Sequence, residues 1–185
     1  LEYGNPLHAF DAKKIPEING KHTIKVRLTK KDESIKTLDG KEYKLPEGLL
    51  VIADHEKPVA VAGVMGGENS EIDGSTVDII LESANFSPKY IRKSQRELGF
   101  VTEASSRFAK GLSSFLSIVS AFRAADLFVE ICGGEIIEGV YNSGSFEIKE
   151  RKVIVNIEKL KEYLSINIKT DDIVKILNSL GFEAQ

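Results

Sequence analysis

Apolar residues in the first half of the chain come in short runs separated by turn residues, which predicts a β-rich block over residues 22–84. The first run, at residues 24–28, alternates apolar and polar positions, the pattern of a strand with one buried face. Three further strands are predicted at residues 49–53, 59–64 and 77–81. Asp39-Gly40 is typical of a two-residue hairpin turn of type I′.

The pattern changes to a helical period after residue 86. Ser87-Pro88 is typical of an N-cap followed by proline in the first turn, and Gly99 is typical of a C-cap. We therefore expect a helix over residues 88–98.

A longer helix is predicted from about Ser113 to Cys132, because apolar residues recur there every three or four positions before Gly133-Gly134. The predicted buried stripe consists of Phe115, Ile118, Phe122, Ala125, Val129 and Cys132. Cys132 is the single cysteine, which excludes an internal disulfide and suits a reducing compartment. We expect it to be a buried core residue rather than a nucleophile.

The last part of the chain predicts two short helices, one capped by Asn156 and one capped by Thr170, the second ending at Gly181. So short a segment buries little surface by itself. We therefore expect an α+β domain over residues 1–147, with mixed β-structure and packed helices, and a short helical segment of an incomplete second domain over residues 148–185.

Composition narrows the class of protein. Hydrophobic residues make up 42% and charged residues 29%, which predicts a soluble globular protein. The sequence has no apolar run of the roughly 20 residues that a membrane helix needs, and no secretory leader pattern at its start. We therefore expect a cytoplasmic protein without membrane contact. A net charge of -3 argues against general nucleic-acid binding, so any contact with a phosphate backbone must be local.

Four motifs occur in a fixed order along the first domain. They are GNPLHAFD at residues 4–11, AGVMGG at 62–67, LESANF at 81–86 and TEASSRF at 102–108. Their order and spacing resemble the β subunit family of bacterial-type phenylalanyl-tRNA synthetases over its B3/B4 region, and the tail resembles the start of the following B5 domain. The resemblance implies that the chain begins partway into B3, so we expect weak activity from the chain alone.

The resemblance implies an editing role, namely hydrolysis of tyrosine wrongly esterified to phenylalanine tRNA. A pocket shaped for phenylalanine cannot strongly reject an isostere that adds only a hydroxyl, so a second site must recognise that hydroxyl. The resemblance implies Glu82 as the group that contacts the phenol. A hydrogen bond to a charged group is worth about 1.5–3 kcal/mol, which corresponds to roughly ten- to over a hundredfold discrimination.

The resemblance also implies roles for four other residues. Gly66 would let the backbone approach the substrate, and small Ala104 would leave room for the aminoacyl ring. His8 would position the substrate or accept a proton from water, and Thr102 would lie near the ester and the hydrolytic water. Aminoacyl esters are already reactive, so alignment of one water suffices without a covalent nucleophile.

Each of these residues has a structural alternative. Glu82 could lie on a solvent-facing side of its strand, and the glycine pair that begins at Gly66 could form a plain turn. Thr102 could be the N-cap of a short helix that ends at Lys110. An isolated histidine such as His8 is usually structural.

A local excess of positive charge lies between residues 88 and 110, a segment that contains six basic residues and two acidic ones. Four of the basic residues share one side of the predicted helix, and we expect them to contact tRNA: Lys89, Arg92, Lys93 and Arg96. The alternative is an ordinary solvated helix face.

The sequence contains no nucleophile elbow, phosphate-binding loop, dinucleotide fingerprint or zinc-ligand spacing, so we expect no cofactor or metal in this segment. The resemblance implies that ATP and magnesium serve the parent synthetase. It implies three partners: the acceptor end of phenylalanine tRNA, the other β-subunit domains, and an α subunit in an α2β2 tetramer. Two other hypotheses remain: a non-catalytic RNA-binding or architectural module, and a free-standing editing homologue.

Overall fold

A computed structural model describes residues 2–137, 141–142 and 152–185. The chain forms two compact units, Leu1–Ile148 and Lys149–Gln185. The predicted α+β class is confirmed, because the described residues form small antiparallel sheets and α-helices. The assignment of the second unit to the start of a B5 domain stays a prediction.

Ten short strands occur among the described residues of the first unit. They are β1 (Leu7–Asp11), β2 (Glu17–Ile18), β3 (Lys21–His22), β4 (Lys25–Leu28), β5 (Glu33–Lys36), β6 (Glu42–Leu45), β7 (Leu50–Ala53), β8 (Pro58–Val61), β9 (Met65–Gly66) and β10 (Ile79–Ser83). Strands β4, β7, β8 and β9 form one sheet in that order, and the other strands pair as β1 with β10, β2 with β3, and β5 with β6. The predicted β-rich block is therefore present.

The hairpin between β5 and β6 has a longer connection than its sequence predicts. The turn spans Thr37 to Gly40, because the Gly40 N–H donates to the Thr37 carbonyl oxygen at 2.8 Å. Gly40 has a φ of +76°, whereas Asp39 does not adopt a positive φ. A type I′ turn needs a positive φ at both of its central residues. The predicted two-residue turn at Asp39-Gly40 is therefore wrong, although the hairpin itself is present.

Three helices follow in the first unit: α1 (Pro88–Leu98), α2 (Glu103–Lys110) and α3 (Ser114–Cys132). Helix α1 begins after Ser87 and ends at Leu98, and its C-cap Gly99 adopts a φ of +74°. These bounds confirm the helix predicted from Ser87-Pro88 and Gly99.

The buried side of α3 differs from the predicted apolar stripe. Ser117 and Ser120 are buried, and the Ser83 hydroxyl of β10 donates to the Ser117 carbonyl oxygen at 2.6 Å. Phe115 and Phe122 are instead 51% and 57% exposed. Small serine side chains let the helix backbone approach β10 closely, so the apolar stripe lies on the other side.

Cys132 is exposed at the end of α3, so the prediction that it is a buried core residue is wrong. It belongs to the same stripe as Phe115 and Phe122, which the packing of α3 through its serines leaves at the surface.

One apolar core lies beneath β1, β7, β8, α1 and α2. Its buried members are Phe10, Ile15, Ile52, Val59, Ala60, Ala62, Phe86, Ile91 and Phe108. Gly63 adjoins this core with a φ of +64°. A Cβ on Gly63 would lie 2.7 Å from Phe86, 2.8 Å from Ile91 and 2.9 Å from Phe108, so no larger residue fits without displacing core side chains.

The second unit contains α4 (Ile157–Leu164) and α5 (Thr170–Ser179) among its described residues. The Asn156 side chain accepts a hydrogen bond from the Lys159 N–H at 3.0 Å, which confirms the predicted cap of α4. The predicted cap at Thr170 is wrong by one residue. Lys169 is the N-cap of α5, and Thr170 is already helical.

Candidate functional site

His8 and Glu82 lie directly opposite each other, because β1 and β10 pair antiparallel with His8 in register with Glu82. Phe10 and Ile80 form the next pair on the same face, since side chains alternate between the two faces of a strand. Phe10 is 1% exposed, and Ile80 packs against the apolar core. His8 and Glu82 therefore stand on the face of the β1–β10 ribbon that is turned toward the core.

Glu82 is half-buried, and the protein around its carboxyl group reduces the hydration of that group. Loss of hydration disfavours the charged carboxylate, so burial raises the pKa of Glu82 to about 7. Near neutral pH the side chain therefore exists both as a carboxylate, which accepts hydrogen bonds, and as a carboxylic acid, which also donates one.

His8 is neutral at physiological pH, because burial lowers the pKa of its imidazole. Its ring meets the Phe10 ring edge to face, with 4.6 Å between the centroids. Its Nε2 atom is buried and has no hydrogen-bond partner within the described part of the chain. A buried polar atom without a partner costs about 1–3 kcal/mol, so His8 favours any ligand or water that offers it a hydrogen bond.

Gly66 on β9 makes room for the His8 ring. A Cβ on Gly66 would lie 2.6 Å from His8 Cε1 and 2.8 Å from His8 Nε2, far inside normal contact distance. The space in front of Gly66, which was predicted to admit the substrate, therefore holds the imidazole in this structure. The arrangement explains why a glycine is needed here and brings His8, Gly66 and Glu82 together.

Leu38 also adjoins Gly66, although no sequence pattern singles it out. Its Cδ1 atom lies 3.1 Å from the same hypothetical Cβ, and its N–H donates to the Gly66 carbonyl oxygen at 3.1 Å. Leu38 belongs to the β5–β6 turn, and the packing of this turn on β9 has no local sequence signal.

Thr102 is the N-cap of α2. Its hydroxyl accepts a hydrogen bond from the Ser105 N–H at 3.1 Å, while the Ser105 hydroxyl accepts one from the Thr102 N–H at 2.8 Å. The Thr102 hydroxyl donates its own proton to the Val64 carbonyl oxygen at 2.8 Å. Thr102 thus ties the start of α2 to the segment that leads into Gly66.

Ala104 lies in the first turn of α2. It is partly buried and packs against the apolar core that contains Phe10 and Phe108. This position follows from the helix that Thr102 begins.

The four basic residues predicted to contact tRNA line one open depression on α1. It has a volume of about 500 Å³ and is lined by Lys89, Arg92, Lys93 and Arg96 together with Leu28, Gly48 and Tyr90. Two of the cations are held by backbone oxygens: Lys93 Nζ donates to Gly48 at 2.9 Å, and Arg92 Nη1 donates to Ala109 at 2.6 Å. Arg96 forms an ion pair with Glu97 at 3.0 Å.

Two other kinds of feature are absent from the described residues. No group of three or more histidine, cysteine, aspartate or glutamate side chains could hold a metal ion there. None of the helices found there has the length and apolar character needed to cross a membrane.

Comparison with known proteins gives two results. Residues 1–133 match the family model of the B3/4 domain. Nearly the whole chain is also similar to phenylalanine–tRNA ligase β subunits. The identity is 39% with that of Halalkalibacterium halodurans over 98% of this chain, and 43% with that of Carboxydothermus hydrogenoformans over 98%. The chain spans 22% of the length of each of these relatives.

Proposed function

The chain belongs to the B3/4 domain family, and on that premise we propose that it is an editing module that hydrolyses the ester of tyrosine mischarged onto phenylalanine tRNA. The observation that carries the proposal is the placement of Glu82 opposite His8 on the core-facing side of the β1–β10 ribbon. A carboxyl group in poorly hydrated surroundings gains more from a hydrogen bond than one in water.

Recognition of tyrosine rests on Glu82. Its carboxylate accepts the phenol O–H, a hydrogen bond to a charged group worth about 1.5–3 kcal/mol. Phenylalanine offers no proton and would leave the carboxylate both dehydrated and unpaired. The site therefore favours the substrate that carries the hydroxyl, as an editing site requires.

Hydrolysis uses the neutral imidazole of His8. An imidazole nitrogen accepts a proton from a water molecule as the water oxygen attacks the ester carbonyl carbon. The bond between that carbon and the ribose oxygen then breaks, and the proton passes from the imidazole to the ribose oxygen. The products are free tyrosine and uncharged tRNA.

Thr102 serves as a positioning residue in this proposal rather than as the group that activates water. Its hydroxyl proton already bonds to the Val64 carbonyl oxygen, so it is not free to bond a substrate. The hydroxyl fixes the segment before Gly66, on which the position of His8 depends. Ala104 places a small side chain in the first turn of α2, where this turn packs against the core.

We further propose that the depression on α1 binds the phosphate backbone of the tRNA. Four cationic side chains line it, and two of them are held in place by backbone oxygens. Cations that are fixed before binding lose less conformational entropy when they meet a phosphate. Because the chain as a whole is acidic, this depression supplies the local positive charge that RNA requires.

The relatives are β subunits of a ligase, so we propose that the chain acts as part of a longer β subunit. In that setting the partners are the other β-subunit domains and an α subunit in an α2β2 assembly. ATP, magnesium and the aminoacylation reaction belong to the parent enzyme, which we place in the cytoplasm.

The decisive experiment compares hydrolysis of tyrosyl and phenylalanyl esters of the same tRNA, with the chain in excess so that weak activity is measurable. We expect faster clearance of the tyrosyl ester, and loss of this preference in Glu82→Ala. The matched control is Glu42→Ala, which changes an exposed glutamate on β6 and should leave the preference intact. Equal rates for the two esters in the unmodified chain, neither above spontaneous hydrolysis, would favour the non-catalytic RNA-binding or architectural role.

A further inference from the structure

Leu38 and His8 cover the same point of the β9 backbone. Leu38 Cδ1 lies 3.1 Å, and His8 Cε1 2.6 Å, from the position that a Cβ on Gly66 would take. The two side chains can therefore be no farther apart than the sum of these distances. Leu38 and His8 therefore together line the space in front of Gly66.

The turn that carries Leu38 is firmly held. Thr37 is fully buried, and its N–H donates to the Lys41 carbonyl oxygen at 3.0 Å. The Asp39 carboxylate accepts hydrogen bonds from the Lys41 N–H at 3.2 Å and the Tyr43 hydroxyl at 3.0 Å. The polar groups of the turn are thus bonded within the hairpin, and Leu38 is fixed to β9 through its own N–H.

Leu38 presents an apolar surface at the site. It is 41% exposed, so part of the side chain packs beside Gly66 and part remains available for contact. An isolated exposed leucine is unremarkable on a protein surface. Its position beside Gly66 and the ring of His8, which itself pairs with Glu82 across β1 and β10, is what gives this leucine a role.

We propose that Leu38 is a specificity-determining residue, which forms the apolar wall against which the ring of the aminoacyl group packs. This inference rests on the proposed editing function. A tyrosyl group has two recognisable parts, a phenol hydroxyl and an apolar ring. Glu82 accepts a hydrogen bond from the hydroxyl, and Leu38 supplies an apolar contact for the ring.

The test uses tyrosyl, phenylalanyl and alanyl esters of one RNA, with Leu38→Ala and Leu38→Met. We expect Leu38→Ala to raise KM for both ring-bearing esters by about tenfold, while kcat stays within about twofold. The alanyl ester has no ring, so its KM should not change. Leu38→Met restores an apolar side chain of similar volume and should behave like the unmodified chain.

A purely structural role for Leu38 would give a different result. If the side chain only holds the hairpin on β9, Leu38→Ala should affect all three esters equally and lower Tm. Either that result or unchanged kinetics for the ring-bearing esters would overturn the inference. Ile18→Ala is the matched control, since Ile18 on β2 is 40% exposed and has no assigned role at the site.

Failure of this inference is distinguishable from failure of the proposed function. If the unmodified chain prefers the tyrosyl ester but Leu38→Ala shows no ring-dependent change, the editing function stands and Leu38 has no role in it. If the unmodified chain hydrolyses none of the esters, the editing proposal fails. Binding of amide-linked tyrosyl- and alanyl-adenosine then tests Leu38 without catalysis, and equal affinities in the unmodified chain and Leu38→Ala would overturn its role.

Discussion

His8 faces Glu82 across the β1–β10 pair, and burial favours the uncharged form of both side chains. It lowers the pKa of His8 and raises the pKa of Glu82 to about 7. The two groups therefore do not form an ordinary ion pair at neutral pH. Because burial disfavours the charged form of each side chain, one prediction follows for stability and one for substrate selectivity.

The first prediction concerns stability and pH. The pKa of Glu82 rises from 4.5 to about 7 on folding, so the native state binds more protons than the unfolded state between these values. The Glu82 contribution to the free energy of unfolding is fully present below the lower value and is lost as pH rises through the upper one. Glu82→Gln removes this loss, so its free energy of unfolding should rise relative to that of the unmodified chain by about 1–3 kcal/mol across the window.

Urea denaturation at about pH 5 and about pH 8 measures this difference. The pKa of His8 shifts in the opposite direction, and comparison with Glu82→Gln cancels the His8 contribution because both chains contain His8. Glu42→Gln serves as the control, since Glu42 is exposed. Parallel stability profiles for Glu82→Gln and the unmodified chain would contradict the buried placement of Glu82.

The second prediction concerns the preference for tyrosine. Only the carboxylate form of Glu82 accepts the phenol proton without a competing proton of its own. The ratio of tyrosyl to phenylalanyl hydrolysis rates should therefore rise about tenfold between about pH 6 and about pH 8, following ionisation of Glu82. The measurement subtracts spontaneous ester hydrolysis at each pH, and a constant ratio would rule out recognition by the ionised carboxylate.

A third prediction follows from the contact between Gly66 and His8. Gly66→Ala forces the added methyl group into the imidazole and should lower the free energy of unfolding by about 1–3 kcal/mol. In a His8→Ala background the methyl group has room, so the same change should cost much less. Gly74→Ala is the control, because a Cβ there meets nothing within 4 Å. Equal costs of Gly66→Ala in both backgrounds, measured by denaturation, would mean that the ring does not occupy this space.

The fourth prediction concerns RNA. Each cation that contacts a phosphate releases counterions, so affinity falls steeply with salt concentration. The double variant Lys89→Gln, Arg96→Gln should weaken binding of a fluorescent acceptor-stem hairpin and reduce the slope of log affinity against log salt by about two. The pair Lys31→Gln, Lys41→Gln removes the same charge from exposed positions outside the depression. Identical slopes for the two double variants would contradict a phosphate-binding role for α1.

Local signals predicted several helix boundaries, because caps act within one turn of the chain. The proline after Ser87 and the left-handed Gly99 bound α1, and Asn156 caps α4. The buried side of α3 could not be predicted in this way. Apolar periodicity indicated one face, but close packing against Ser83 on β10 selects the side that carries Ser117.

The candidate site was predictable only in part for the same reason. Strand periodicity places Glu82 on the same side as Ile80, but it does not show whether that side meets water. Whether that side of β10 is buried depends on β1, which pairs with β10 and puts buried Phe10 opposite Ile80. The sequence pattern does not predict a role for Leu38, because that role depends on the packing of the β5–β6 turn against β9, which lies far along the chain.

Gly63 has a practical consequence for genetics. Three core side chains crowd the position of its missing Cβ, just three residues ahead of the glycine that adjoins His8. A random screen for inactive clones would therefore recover replacements of Gly63 as readily as replacements of Glu82. Loss of soluble protein would identify the former as folding defects, and only clones with normal yield would report on chemistry.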